Sequence, residues 1–223
     1  MKKKIIIAAG AFALFILLIV LVKIADVRTV EETGMTMGFF ALNSWFHKLT
    51  GFRQGWYDLT QITGYISIAA GLVFAVIGLI QLIRRKSLLK VDRRILGLGV
   101  LFIVMAAVYV LFEIIVVNYR PVIMPGDSAA EASFPSSHTV LVCVVLSGVA
   151  LMLEYYIKKA GLRVSLQALC ALVILITVFG RLICGAHWLT DIIGGLLIST
   201  TLVSLFSAFL DRCDDRRADE DLA

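Results

Sequence analysis

Apolar residues come in six long runs, near positions 5–24, 62–83, 95–117, 139–156, 166–179 and 192–210, with the polar residues gathered between them. About 20 apolar residues in a helix cover roughly 30 Å of hydrocarbon. Backbone in lipid must satisfy its own hydrogen bonds, so each run predicts a helix. The fifth run is short and has to borrow flanking residues to span. The first follows Lys2, Lys3 and Lys4 and is longer than the apolar core of a cleavable leader. No small residues precede a cleavage point, Lys23 standing at the −3 position of the best candidate, so the run reads as an anchor helix. Between the first two runs, Phe39, Leu42, Phe46 and Leu49 recur at helical spacing, with Asn43, His47 and Lys48 elsewhere on the turn. That pattern over 38–51 predicts an amphipathic helix on the outer membrane surface, with His47 interfacial and solvated.

The expected fold class is therefore all-α and polytopic: about six transmembrane helices in a bundle, plus the interfacial helix. Residues 1–61 hold the anchor and the interfacial helix, 62–210 the transmembrane core, and 211–223 a mixed-charge cytoplasmic tail expected to be frayed and solvated. Composition narrows the class further. Of 223 residues, 60% are hydrophobic, against roughly 45–50% in soluble proteins, and the mean hydropathy is +0.95.

The net charge of +5 comes from 21 basic and 16 acidic residues. The basic ones sit in short clusters between apolar runs instead of forming a stripe with interleaved aromatics, which argues against a nucleic-acid partner and for membrane topology. Lys2 to Lys4, the group from Arg84 to Arg94, Lys158 with Lys159 and Arg163, and Arg212 with Arg216 and Arg217 fall in alternate connections. The positive-inside rule then predicts a multi-pass protein of the cell membrane, both termini cytoplasmic. The connections after the first, third and fifth helices face outward. Cys143, Cys170, Cys184 and Cys213 form no Cys-x-x-Cys pair and read as inert thiols.

The outward connections carry the unusual polar residues. The third begins Asn118-Tyr119-Arg120-Pro121 and ends Pro135-Ser136-Ser137-His138, where the fourth helix starts. The fifth reads Gly180-Arg181, five residues, His187, three residues, Asp191. If the chain is already helical from His187, Asp191 lies one turn on and can fix the imidazole tautomer, leaving the other nitrogen as a nucleophile. Arg181 offers a planar fork of donors for phosphate oxygens. Backbone amides at Ser136 and Ser137 point at one spot where the helix dipole favours an anion, and His138 stands where it can protonate a leaving oxygen. A phosphoryl group held by Arg120, Arg181 and these amides would lie between two histidines, as an in-line displacement requires. Each element alone has a plainer reading, an arginine as headgroup anchor or a His-x-x-x-Asp surface pair. Those readings weaken together, because all the elements fall on one side of a topology inferred from other charges.

In these residues the chain resembles the type 2 phosphatidic acid phosphatases, the superfamily of membrane lipid phosphatases and vanadium haloperoxidases. Its motifs are Lys-x6-Arg-Pro, Pro-Ser-Gly-His and Ser-Arg-x5-His-x3-Asp, against which Arg120-Pro121, Pro135-Ser136-x-His138 and Arg181-x5-His187-x3-Asp191 align in order and spacing. The resemblance covers about 62–210. It implies a metal-independent lipid phosphatase without a cofactor, working through a phosphohistidine. His187 would be the nucleophile, Asp191 its orienting partner and His138 the acid. Arg120, Arg181 and the amides near Ser136 and Ser137 would hold the phosphate. Candidate substrates are polyprenyl diphosphate, phosphatidylglycerol phosphate and phosphatidate. A non-hydrolytic lipid-binding or transport protein on this scaffold, or a lipid phosphotransferase, are the alternatives. Three positions depart from the pattern: Ser137 stands for the motif's glycine, Gly180 for its serine and Glu113 for its lysine. On a continuous helix Glu113 would point the same way as Arg120. Bracing a site arginine or a neighbouring helix, selecting substrate, and loss of hydrolysis are its three possible meanings.

Overall fold

The computed structural model describes residues 1–31, 34–124 and 128–222, with side chains through 215. Its helices are α1 (Lys2–Ile24), α2 (Phe40–Thr50), α3 (Gln54–Arg85), α4 (Arg93–Ile114), α5 (Ser137–Tyr156), α6 (Ala160–Ile183) and α7 (Leu189–Leu222). A 3-10 turn at Leu88–Lys90 and a two-residue hairpin pairing Arg28–Thr29 with Thr36–Met37 complete the elements. Among the described residues six helices, all but α2, are long and apolar enough to cross a membrane. The protein is an all-α, multi-pass membrane bundle.

Burial sorts the spans. Helices α5 and α7 run through the middle, with Val142, Val144 and Met152 of α5 fully inside. Helices α1, α3, α4 and α6 surround them and turn rows of Leu, Ile and Val outward, as surfaces facing lipid must. The expected short fifth span does lengthen at both ends to become α6. Close approach of α7 to α5 and to the segment before it depends on Gly195 and Gly194: a Cβ on Gly195 would lie 3.0 Å from Thr139 Cβ of α5, and on Gly194 2.5 Å from the ring of Phe134.

The 211–223 segment departs from expectation. It continues α7 as helix to Leu222, and its start is tied to other elements. Asp211 pairs with Lys4 at 2.6 Å and with the chain's amino terminus at 3.0 Å. Asp214 pairs with Arg94 and accepts from the Tyr155 hydroxyl at 2.8 Å. Met1, Asp211 and Asp214 thus lie at one end of the bundle, and the connections holding Arg120, His138 and His187 at the other.

Helix α2 forms where the periodicity places it, with apolar residues outward as a helix on a membrane surface requires, and its polar side packs on the protein. Leu42, Trp45 and Leu49 are exposed, whereas Asn43 is buried and bonds Gly38 O at 2.9 Å and Thr190 Oγ1 at 3.1 Å. His47 is half-buried against the edge of Trp188, ring centroids 5.4 Å apart, rather than solvated. A helix at a membrane surface gives its apolar face to lipid, so its polar face is left for the protein.

Candidate active site

Two local devices bring the distant motifs together. The long connection between α4 and α5 folds back on itself. Arg120 N donates to Glu131 O at 2.9 Å, Ser133 N donates to Asn118 O at 2.9 Å, and Tyr119 bridges Ala132. This sets Asn118 and Arg120 beside the segment leading into α5. Phe134 then anchors that segment, buried and stacked on Phe15 at 5.8 Å. The second device joins α5 to α7, Ser136 N donating to Asp191 O at 3.0 Å.

His187 precedes α7 and is not part of it, since the helix begins at Leu189. Its Nδ1 therefore does not meet Asp191 as a helical neighbour would. It donates to the Ser133 carbonyl at 3.2 Å, and Asp191 Oδ2 lies at 3.7 Å. The carboxylate instead accepts the Trp188 amide at 2.9 Å and approaches Asn118 Nδ2 at 3.5 Å. It reaches back over the helix start as a first-turn acidic residue does in a capping box. A carbonyl can only accept, so Nδ1 carries the proton and Nε2 the lone pair. His187 Nε2 has no hydrogen-bond partner among the described residues. Burial, and then the charges of Arg181 and Arg120, hold the imidazole well below the usual histidine range, so it is neutral in the free protein.

Arg181 is fully buried, with its guanidinium 4.9 Å over the Tyr57 ring and Nη2 3.4 Å from Gln61 Oε1. Arg120 pairs through Nη2 with Glu131 at 3.0 Å. The Nε and Nη1 atoms of both arginines are buried without partners among the described residues. Unsatisfied buried donors are costly. Here four of them lie on two cations near one neutral imidazole, an arrangement suited to a tetrahedral anion.

His138 opens α5, its Nε2 bonded to Gln61 Oε1. Ser136 caps the helix by position only: its amide serves Asp191 O, and its Oγ accepts from Thr139 at 3.0 Å. The amides free to meet an anion thus begin at Ser137 and not at Ser136. A cavity of about 340 Å³ runs between α4 and α5, with Ser137, His138 and His187 in its wall and apolar residues such as Met105, Phe112 and Leu141 along it.

The continuous helix expected through Glu113 and Arg120 is not formed. Helix α4 stops at Ile114, where three consecutive β-branched residues lead to Asn118. Lys23 Nζ meets the released Val116 carbonyl at 3.0 Å. Arg120 finds its carboxylate in Glu131, so Glu113 does not brace it. Glu113 is exposed on the cavity wall, coupled to Tyr109 one turn earlier, and forms no ion pair among the described residues. Gly180 has a steric explanation: a Cβ there would lie 2.5 Å from Thr60 Cγ2.

Sequence reasoning missed Gln61, Tyr57, Ser133 and Trp188, and gave Asn118 no role. For Ser133 the functional atom is a backbone carbonyl, which no residue type announces. Gln61 and Tyr57, one helical turn apart at the mouth of a span, were the available signal for α3. The four cysteines are free thiols.

Comparison with known proteins follows the same lines. Residues 115–214 match the family model described as the PAP2 superfamily. The transmembrane PAP2-type phosphatidylglycerolphosphate phosphatase of Bacillus subtilis has the same fold, with a TM-score of 0.65 at 17% identity over 92% of this chain and 96% of that one. The lipid phosphate phosphatase delta of Arabidopsis thaliana is 36% identical over 94 residues, which are 40% of this chain but only 22% of that protein's length.

Proposed function

We propose that the chain is a PAP2-type integral membrane phosphatase releasing phosphate from a membrane lipid through a phosphohistidine, a reading supported by the match of residues 115–214 to the PAP2 superfamily model. One observation carries the reading. The buried Nε2 of His187, without a partner among the described residues, lies within the field of two arginines that carry donors equally without partners there, and His187 lines the same cavity as His138.

The phosphate oxygens sit on Nε and Nη1 of Arg120 and Arg181 and on the first-turn amides from Ser137. Ser136 supports them by holding that turn against Asp191. The His187 Nε2 lone pair attacks phosphorus, and the bond from phosphorus to the lipid oxygen breaks. That oxygen takes the Nε2 proton of His138, whose imidazolium form is favoured by the bound anion. Water then attacks phosphorus and gives its proton to His138. The electron pair of the N–P bond returns to His187, and inorganic phosphate leaves. Throughout, Nδ1–H stays on the Ser133 carbonyl, with the Asp191 carboxylate near enough to stabilise the cationic ring. The two arginines supply the positive charge, so the scheme uses no metal.

The apolar cavity supports a lipid substrate, its chain lying between α4 and α5. Glu113 on the cavity wall sets a negative charge where a second phosphate would come, which favours a monophosphate with a hydroxyl-bearing headgroup over a polyprenyl diphosphate. Clusters of lysine and arginine in alternate connections support cytoplasmic termini and an outward-facing site. Purified protein should release phosphate from a panel of these lipids in EDTA and be inhibited by vanadate. Absence of release from every lipid would refute the enzyme reading. Cysteines placed at Ser128 should be labelled from outside cells and those at Arg85 should not; the reverse would put the site in the cytoplasm.

A further inference from the structure

One wall of the site comes from α3, ahead of the region that matches the family model. Gln61 there makes three contacts. Its Oε1 faces His138 Nε2 and also Arg181 Nη2 at 3.4 Å, and its Nε2 donates to the Tyr57 hydroxyl at 3.1 Å. Tyr57 in turn lies under the Arg181 guanidinium. Arginine only donates, which fixes the amide with its oxygen toward the site. The nitrogen of His138 that meets this oxygen must then carry a proton. It is the same nitrogen that has to deliver one to the leaving group.

We propose that Gln61 is a positioning residue for the acid: it keeps the His138 proton on Nε2, aims that N–H at the site from the Arg181 side, and yields it to the leaving oxygen when substrate binds. The inference rests on His138 being the acid in the reading above. Gln61 forms no bond to phosphorus and undergoes no net change. As the substrate's phosphate engages Arg181, the Nε2–H exchanges the amide oxygen for the lipid oxygen, and after hydrolysis it returns. Packing supports a fixed geometry. The neighbouring Thr60 is fully buried against Gly180, and a Cβ on Gly64, one turn on, would lie 3.3 Å from the His138 ring. The charged and titratable groups around His138 are Arg181 from α6, Arg120 from the α4–α5 connection and the neutral His187 from the loop before α7, with Glu113 of α4 on the same cavity. None of these is a hydrogen-bond acceptor on its Nε2 in the structure.

The test compares leaving groups. An alkyl lipid phosphate needs a proton on its departing oxygen, whereas an aryl phosphate such as p-nitrophenyl phosphate departs nearly unaided. The readout is kcat/KM, which reports the steps through departure of the leaving group and not the later attack of water, where His138 serves both substrates. His138→Ala sets the reference: a loss in kcat/KM confined to the alkyl substrate supports the acid assignment, and an equal loss on both overturns that assignment and with it this inference. Given the reference, Gln61→Leu should lower kcat/KM for the alkyl substrate by roughly 10²-fold, as misplacement of a catalytic group does, while changing that for the aryl substrate less than about threefold. Equal loss on both substrates, or loss on neither, would overturn the inference and leave the acid assignment standing. Gln61→Glu is nearly isosteric and keeps the protein testable if the leucine variant does not fold. A carboxylate beside the imidazolium should move the alkaline limb of kcat upward by about one pH unit or more. An unmoved limb would overturn the proposal as well.

Discussion

Restoring the motif serine at Gly180 should damage this protein, and the structure says by how much. The new Cβ would lie 2.5 Å from Thr60 Cγ2 and 3.5 Å from the Trp56 ring. Ordinary carbon contacts are about 3.5–4.0 Å, so Thr60 would have to move by an ångström or so. It is fully buried, branched at Cβ, and its hydroxyl donates to Tyr57 O at 2.7 Å. Rotation is therefore resisted, and α3 must shift away from α6. Overpacking of this kind costs about 1–3 kcal/mol, which corresponds to a drop in Tm of about 2–4 °C per kcal/mol for a chain of this size. The shift also separates Gln61 from Arg181, each adjacent in sequence to a clashing residue, so turnover should fall about 10-fold or more. Thr60→Ala removes the obstructing methyl. Gly180→Ser in that background should regain most of the lost stability, giving a coupling energy of at least about 1 kcal/mol. Thermal unfolding in detergent and phosphate release measure the two arms. If Gly180→Ser alone unfolds at the wild-type temperature, or Thr60→Ala gives no rescue, the close α3–α6 contact is wrong.

His187→Ala should abolish phosphate release from folded protein; retained turnover would remove it as the nucleophile. Asp191→Asn should cost roughly 10²-fold in kcat, less than the ~10⁴ seen where a carboxylate alone sets the tautomer, because the Ser133 carbonyl still holds Nδ1–H. A loss as large as His187→Ala would contradict that division of labour. Because the folded pKa of His187 lies below the unfolded value of about 6.5, the unfolded state binds the extra proton as pH falls. Its contribution to stability is thus full above about pH 6.5 and is lost at lower pH, by at most about 1.4 kcal/mol per unit. Unfolding scans from pH 7.5 to 5 should show a shallower decline for His187→Gln than for wild type, and parallel curves would count against a buried neutral imidazole. Glu113→Lys should shift the ranking of substrates toward a lipid diphosphate at similar stability, whereas an unchanged ranking would show that the carboxylate does not select.

The spans were legible because membrane insertion depends on run length, and length is explicit in sequence. The ends of helices were less so: 95–117 reads as one apolar run, yet the backbone leaves the helix at Ile114, and with it goes the inferred alignment of Glu113 with Arg120. Amphipathic spacing located α2 at the membrane surface but not the partners of its polar side, since Asn43 bonds Thr190, 147 residues away. At the site, Arg120, His138, Arg181, His187 and Asp191 were readable as residue types at fixed intervals. What they do to one another was not. The Ser133 carbonyl that sets the His187 tautomer has no side-chain signature, and the interval between Gln61 and Arg181 is 120 residues.

The pairing of α1 with α7 has a consequence in time. These helices make the most extensive contact in the bundle among the described residues, with Lys4 reaching Asp211 across it, yet α3, α4, α5 and α6 lie between them in the chain. During biogenesis α1 waits in the bilayer without its partner while the spans between them are inserted. Only when α7 arrives can α1 pack on the middle of the bundle, and α7 also brings Asp191 to the site. The proposed site is therefore assembled only when α7 docks, so a nascent chain stalled before α7 would be membrane-embedded without Asp191 beside His187.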